Sequence, residues 1–264
     1  MRLNIAVVVL GFASANFCCG QAVGQVARGK VASERGEPIE GVEVYGTKMK
    51  CCPATVKSTT TRPDGAFNLI EPGAVLHFRR SGLEPFSLAN EKEMPLRVVM
   101  KSQQPTVWVL PTCGPKEPTR FGQTFLFLRP TGEPLAEGHD VDYTRFGVKG
   151  RQGGLLDSWF GPTAGSVDAS EELYVKSESF SERFVEVAGF GLVGIDARGK
   201  FKNGKHWRWV GLIYANGADG KSLAGTRWHW PRMGATDMIR YQDATVDEAS
   251  DFDQIIDSVC SKSR

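Results

Sequence analysis

The most regular feature of the chain is an alternation of apolar and polar positions at a period of two. In "GVEVYG", Val42 and Val44 fall on one side of an extended segment, and Glu43 and Tyr45 on the other. In "VLHFRR", Leu76 and Phe78 share a face and leave His77 and Arg79 opposite; in "PLRVVMK", Leu96, Val98 and Met100 line up the same way. Turn chemistry separates these runs: "SERGEP" before Ile39, "RPDG" before Ala66, "EPG" before Ala74, and Ser81-Gly82. Strands at such close spacing, with no helical period between them, predict an antiparallel two-layer sandwich over residues 23–102. A short polar link, "KSQQPT", leads into residues 106–264, again rich in strand and turn signals. There Phe125 and Phe127 share a face, "RFVEVAGFGLVGID" is a longer strand, and Asn203-Gly204 predicts a type I′ hairpin. A helical period emerges only at the end. Thr245 and Glu248 have capping-box spacing, and Val246, Ala249, Phe252, Ile256 and Val259 form one apolar stripe.

The first segment also carries a motif set. Gly29 and Val31 open it, followed by Gly36, Pro38, Ile39, Gly41, Val42 and Val44, a threonine-rich run, Asp64, Gly65 and Phe67, and then Phe78 and Gly82. This pattern resembles the carboxypeptidase regulatory-like domain, a transthyretin-like sandwich, over about residues 26–101. Leu83 stands where the family usually has an aromatic residue, and "KMKCCPA" reads as an inserted loop. The resemblance implies an accessory module whose motifs are turns and core positions, with no catalysis of its own. Residues 106–264 carry no motif set that identifies a family. The fold class expected is mainly β: a prealbumin/Ig-like β-sandwich, then a second β-rich domain with a C-terminal α-helix.

At the N-terminus, Arg2 precedes the apolar run from Ile5 to Ala13, and small residues follow at Gly20 and Ala22. That order predicts a signal peptide over residues 1–22, cut after Ala22, with Gly20 and Ala15 as alternative sites. It implies a secreted or periplasmic protein. Lipoprotein anchoring at Cys18 is disfavoured by Phe17, where a lipidation box needs a small residue. No later segment is long and apolar enough to span a bilayer as a helix. The remaining cysteines are Cys51, Cys52, Cys113 and Cys260, an even number suited to an oxidising compartment. The preferred pairing joins Cys113 to Cys260; Cys51 and Cys52 form a vicinal bridge or stay free. With no C-x-x-C spacing, zinc and thioredoxin-like chemistry have no support.

Charge is balanced, 32 Lys and Arg against 30 Asp and Glu, without long single-sign runs, which argues against nucleic-acid binding. The glycines Gly189, Gly191 and Gly194 fit G-x-G-x-x-G, but turn residues and charge follow where a helix would have to begin. Close packing in a sheet explains them better. Trp207 and Trp209 lie at strand spacing, as do Trp228 and Trp230, interleaved with His206, Arg208, Arg227 and His229. Large aromatics mostly bury, so a core face of Trp207, Trp209 and Ile213, with His206 and Arg208 toward solvent, is the leading reading. The binding alternative is a sugar-stacking platform formed by the four indoles with Arg208 and His229. No H-E-x-x-H is present; His139 with Asp140 and Asp142, or Tyr143 and Tyr174 with His206 and His229, could be imagined as ligands without support from spacing. Glu171 with Glu172, and Glu178 with Glu182, are carboxylate pairs that a strand edge or helix face explains equally well. Catalytic residues, metal ligands and cofactors are therefore not assigned. The function expected is that of an exported, non-enzymatic binding or scaffolding protein with a glycan or protein partner; the alternative is a secreted hydrolase with its site beyond Val107.

Overall fold

The structure, a computed structural model, describes residues 26–48, 55–89, 94–112, 119–121, 125–127, 133–134, 138–140, 143–163, 167–189, 192–214 and 234–261. The expected leader over residues 1–22, and Cys51, Cys52, Cys113, Asp142, Gly191, Trp228, His229 and Trp230, lie outside the described residues. The protein is mainly β.

Seven strands come first: β1 (Val26–Ser33), β2 (Glu43–Lys48), β3 (Thr55–Thr60), β4 (Ala66–Ile70), β5 (Val75–Arg79), β6 (Phe86–Ala89) and β7 (Leu96–Met100). They form one sheet of order β4-β1-β7 and another of order β3-β2-β5-β6. The alternation of the sequence is what stacks them. Ala27, Val31, Phe67, Leu69, Val98 and Met100 of the first sheet meet Val44, Leu76, Phe78 and Leu88 of the second, with Val42 just before β2, in a single core. The turn between β3 and β4 needs its glycine: Gly65 has a φ of 73°, and a Cβ there would lie 2.3 Å from the Val31 carbonyl oxygen. One pairing differs from expectation. β7 runs parallel to β1, because the chain returns to the first sheet only after passing through the second.

The remaining strands are β8 (Thr106–Trp108), β9 (Thr119–Phe121), β10 (Phe125–Phe127), β11 (Glu133–Pro134), β12 (Gly138–Asp140), β13 (Tyr143–Lys149), β14 (Leu155–Thr163), β15 (Ser177–Val187), β16 (Leu192–Phe201), β17 (His206–Tyr214), β18 (Gly234–Ala244) and β19 (Cys260–Ser261). Two helices join them, α1 (Glu171–Lys176) and α2 (Val246–Asp257). Nine strands form one large sheet, β11-β13-β14-β18-β17-β16-β15-β8 with β12 beside β13, while β9, β10 and β19 make a smaller one. Both faces of the large sheet are covered. On one face Val185, Val210, Leu212, Ile239 and Tyr241 pack against Ala249, Phe252 and Ile256 of α2. On the other, Phe184, Ile195, Ala197, Trp207, Trp209 and Ile213 pack against Leu173 and Tyr174 of α1, residues 167 and 169, and Tyr45 and Val75 of the sandwich. The order of layers is thus helix, sheet, sandwich. Burial on both faces also explains why "FVEVAGFGLVGI" reads as a nearly unbroken apolar run.

Helix α2 starts as its sequence predicts, with Thr245 and Glu248 in a reciprocal capping box. Its stripe is buried except at Val246, which is 67% exposed because it precedes the contact with the sheet. Helix α1 was not expected; its first turn is the Glu171-Glu172 pair. The Asn203-Gly204 hairpin forms, but not as type I′. Gly204 alone has a positive φ, 83°, and Phe201 pairs with Lys205 across a three-residue loop. That geometry is a type I turn closed by a glycine bulge, which also suits the right-handed twist of the strands. Among the described residues no helix is long and apolar enough to cross a membrane.

Glu248 does more than cap. Its carboxylate also accepts from the backbone N–H of Gln152 at 2.6 Å and of Gly154, tying the turn before β14 to α2. Glu248→Ala is therefore expected to cost about 2 kcal/mol in urea denaturation, against about 1 kcal/mol for Thr245→Ala, which removes the cap alone.

Candidate functional site

The polar face of the sandwich's second sheet does not meet water. Tyr45 on β2, His77 and Arg79 on β5, and Ser87 on β6 point away from the sandwich core and into the large sheet's territory, where all are buried. Opposite them stand Asp168, in the segment before α1, Tyr174 on α1, and Glu182 on β15. Arg79 is the centre. Its Nε and Nη2 donate to Asp168 Oδ1 at 3.2 and 2.5 Å, and Nη2 donates to Glu182 Oε1 at 3.0 Å and Ser87 Oγ at 2.9 Å. Nη1 donates to the carbonyls of Phe78 and Phe86. The two tyrosines complete the carboxylates: Tyr45 Oη donates to Asp168 Oδ2 at 2.5 Å, and Tyr174 Oη to Glu182 Oε1 at 2.7 Å.

The electrostatics follow from burial. Arg79, Asp168 and Glu182 have side chains 0–2% exposed. Burial alone would raise the Asp168 carboxyl, but the Arg79 guanidinium outweighs it, helped by His77 and the Tyr45 hydroxyl, and holds it well below the usual carboxylate range. Burial pushes the hydroxyls of Tyr45 and Tyr174 upward, and the adjoining carboxylates add to that. Burial also lowers His77, so the imidazole is neutral. Arg79 can only donate, and its Nη2 lies 3.3 Å from His77 Nδ1; that nitrogen is therefore the acceptor, and the ring proton sits on Nε2.

Two chemical readings of this cluster can be tested on its geometry. His77, Asp168 and Glu182 bring one ligand atom each within 4.8 Å of one another, the spacing of a metal site. The Arg79 guanidinium stands where such an ion would have to sit, its Nη2 within hydrogen-bond distance of His77 Nδ1, Asp168 Oδ1 and Glu182 Oε1 at once. The group does not fit a metal. Ser87 Oγ lies 2.8 Å from His77 Nδ1, which suggests a hydroxyl–imidazole pair, yet Asp168 approaches the same nitrogen, at 3.8 Å. A nucleophilic relay needs the hydroxyl and the carboxylate on opposite ring nitrogens. The cluster is an arginine-centred junction between two halves of the protein.

No protein-family model matches the chain, and no curated protein matches it.

Trp207 and Trp209, 0% and 8% exposed, lie in the core between the large sheet and the sandwich, so neither is placed to stack on a sugar. Their N–H groups are used inside, donating to Ser177 Oγ and the Val167 carbonyl. Glycines accommodate them: a Cβ on Gly199 would meet the Trp207 ring at 2.6 Å, and one on Gly211 would meet Trp209 Nε1 at 2.8 Å. Arg208 does not reach solvent as expected. It is buried on the opposite face, where it donates to both oxygens of Asp196 and to Asp253 and Asp257 of α2 at 2.9–3.1 Å. The remaining members of that platform, Trp228, His229 and Trp230, lie outside the described residues. Cys260 is in a disulfide, while Cys113, its expected partner, lies outside the described residues.

The carboxylate pairs separate. Glu172 pairs with Lys176 along α1, Glu171 accepts from the Ala74 N–H, Glu178 pairs with Lys200, and Glu182 belongs to the junction. His139, Asp140 and Tyr143 lie in the β12–β13 pair, and Tyr174 serves Glu182. Gly194 packs against the Gly211 carbonyl within the sheet, as expected for close packing. Sequence reasoning did not assign Arg79, His77, Tyr45 or Asp168 a joint role. The available signal was the position of Tyr45, His77 and Arg79 on the second face of paired strands, to which no partner was assigned.

Beside the junction is a cleft of about 610 Å³, walled by β6, the end of β7 and residues 180–182 of β15, with Ser87 and Glu182 in its lining. A second, of about 760 Å³, lies between β15, β16 and α2.

The junction fixes how stability depends on pH. The unfolded imidazole titrates near about 6.5, and the folded one lower, so stability is lost as pH falls through about 6.5. Asp168, depressed in the folded state, contributes stability above about 3.9 that is lost on further acidification. Thermal melts are thus expected to weaken in two stages, and His77→Asn to remove the upper stage alone. Arg79→Met leaves two buried carboxylates without a cation and is expected to cost about 3–5 kcal/mol in denaturant unfolding.

Proposed function

We propose that this is an exported, non-enzymatic binding or scaffolding protein, in which a carboxypeptidase regulatory-like sandwich is fixed to a second β-rich half. One observation carries the reading. The side chains with acid–base or ligating chemistry at the junction are committed to one another: His77 and Asp168 are sealed from water with Arg79 among them, and Glu182, which lines the adjoining cleft, has its Oε1 taken by Arg79 and Tyr174. Groups paired with an arginine in that way set geometry and are not poised to move a proton. The two-sheet arrangement of residues 26–100, with glycines of positive φ at Gly36, Gly41, Gly65 and Gly82, supports the family resemblance at the positions that suggested it. Export is supported by the charge, apolar run and small residues at the N-terminus, and by the disulfide at Cys260, a bond that forms in oxidising compartments. The partner is a protein or a glycan.

The hydrolase alternative draws its support from the cleft adjoining Glu182. The two readings separate in a direct assay. The mature protein is expected to turn over none of a panel of chromogenic glycosides, esters and peptides. Turnover that vanishes in Glu182→Gln, with the circular dichroism spectrum retained, would put the enzyme reading in its place.

A further inference from the structure

We propose that the cleft between β6, β7 and β15 is a docking groove for an extended peptide segment of a partner protein, with a lysine ammonium of that segment bound at Glu182. This rests on the binding reading above and names its site and partner chemistry.

The first observation is an unused acceptor. Both donors to Glu182, Arg79 Nη2 and Tyr174 Oη, go to Oε1, whereas Oε2 is buried and has no hydrogen-bond partner among the described residues. Buried polar atoms are ordinarily paired, so an orphan on a side chain that lines the cleft marks a place where a ligand can supply the donor. The second is charge. With His77 neutral, the junction sets one guanidinium against two carboxylates, +1 and −2, a net −1. A cation completes that balance. The acceptor also selects which cation. A guanidinium fork matches two acceptors together, but Oε1 is already occupied, so a single free oxygen suits the compact ammonium of lysine. Its methylene stem can lie along Val99 and Phe180, which line the cleft.

The third observation concerns the backbone. β6 ends the four-stranded sheet and β7 ends the three-stranded one. β15 pairs with β16 along its length, but on its other side with β8 only at Val185–Val187. Among the described residues, β6, β7 and the part of β15 before Val185 each lack a strand on one side, and all three line the cleft, which the Glu84 N–H to Lys101 carbonyl bond closes at one end. Open edges offer N–H and carbonyl groups to an incoming strand, which favours an extended peptide over a compact ligand.

The test uses the intact mature protein, immobilised, and a pool of heptapeptides with a central lysine and randomised flanks. A matched pool carries norleucine in place of lysine. Retained peptides are read by mass spectrometry. Lysine peptides are expected to be retained at least about tenfold over norleucine peptides, the discrimination of one charge-assisted hydrogen bond. Glu182→Gln is expected to abolish that preference. Val99→Trp, at a residue 53% exposed on the cleft wall and outside the junction, is expected to abolish retention by filling the groove while leaving the fold intact. Equal retention of the two pools, or undiminished retention on Val99→Trp, overturns the proposal and leaves the non-enzymatic reading standing. Cleaved peptides in the eluate would instead overturn that reading.

Discussion

Arg79 connects three parts of the chain that are distant in sequence. Its guanidinium extends from the sandwich to Asp168 and Glu182, which lie 89 and 103 residues further on. Taking a guanidinium and two carboxylates out of water carries a desolvation cost of several kcal/mol per ion, so the arrangement persists only if nearly every donor and acceptor is matched. Here it is met by two tyrosine hydroxyls, one serine, one imidazole and two backbone carbonyls. The orientation of the sandwich on the large sheet depends on that matching more than on the apolar contacts around it, since hydrophobic burial is non-directional and a charge network is not.

The large sheet repeats the device on its other side. Arg208, one residue removed from Trp207 and Trp209 and so facing the opposite way, is held by Asp196 within the sheet and reaches Asp253 and Asp257 on α2. Burial would raise the Asp196 carboxyl, but the guanidinium outweighs it and keeps it low. Each outer layer is thus pinned to the central sheet by one buried arginine. The two cases differ in solvent access: Asp257 is 62% exposed, and the ion pair that includes it contributes less than the sealed one at Arg79.

Period-two patterning made the strands legible, and it correctly divided Val42 and Val44 from Tyr45, and Leu76 and Phe78 from His77 and Arg79. It could not say what the second face meets. A polar face on a strand normally means water, and the partner carboxylates come from residues about a hundred positions later, brought near by a topology that no local signal encodes. The same limit explains Arg208, whose side chain was assigned to solvent because the helix covering it lies at the far end of the chain. Trp207 and Trp209 were legible as core through strand spacing and size. Helix α2 was legible through its cap and stripe. Helix α1, only six residues long, is too short to establish a period, and its acidic first turn was read as a carboxylate pair.

A polar junction in so buried a place also bears on register. Strand β5 is covered on both faces: Leu76 and Phe78 fill the sandwich core, while His77 and Arg79 fill the junction. If that interface were apolar, β5 would carry similar side chains on both faces, and a slip of one residue against β2 would exchange them at little cost. With Arg79 present, the same slip would drive a guanidinium into the sandwich core with no acceptor and leave Asp168 and Glu182 facing Leu76 and Phe78. The penalty for an unpaired buried charge makes that alternative inaccessible. The network therefore selects one pairing of β2, β5 and β6, and the same pairing sets β6 along the cleft beside β15. The orphan oxygen of Glu182 is the residue of this arrangement: Arg79, oriented to satisfy Asp168 and one oxygen of Glu182, leaves the last acceptor turned away from it.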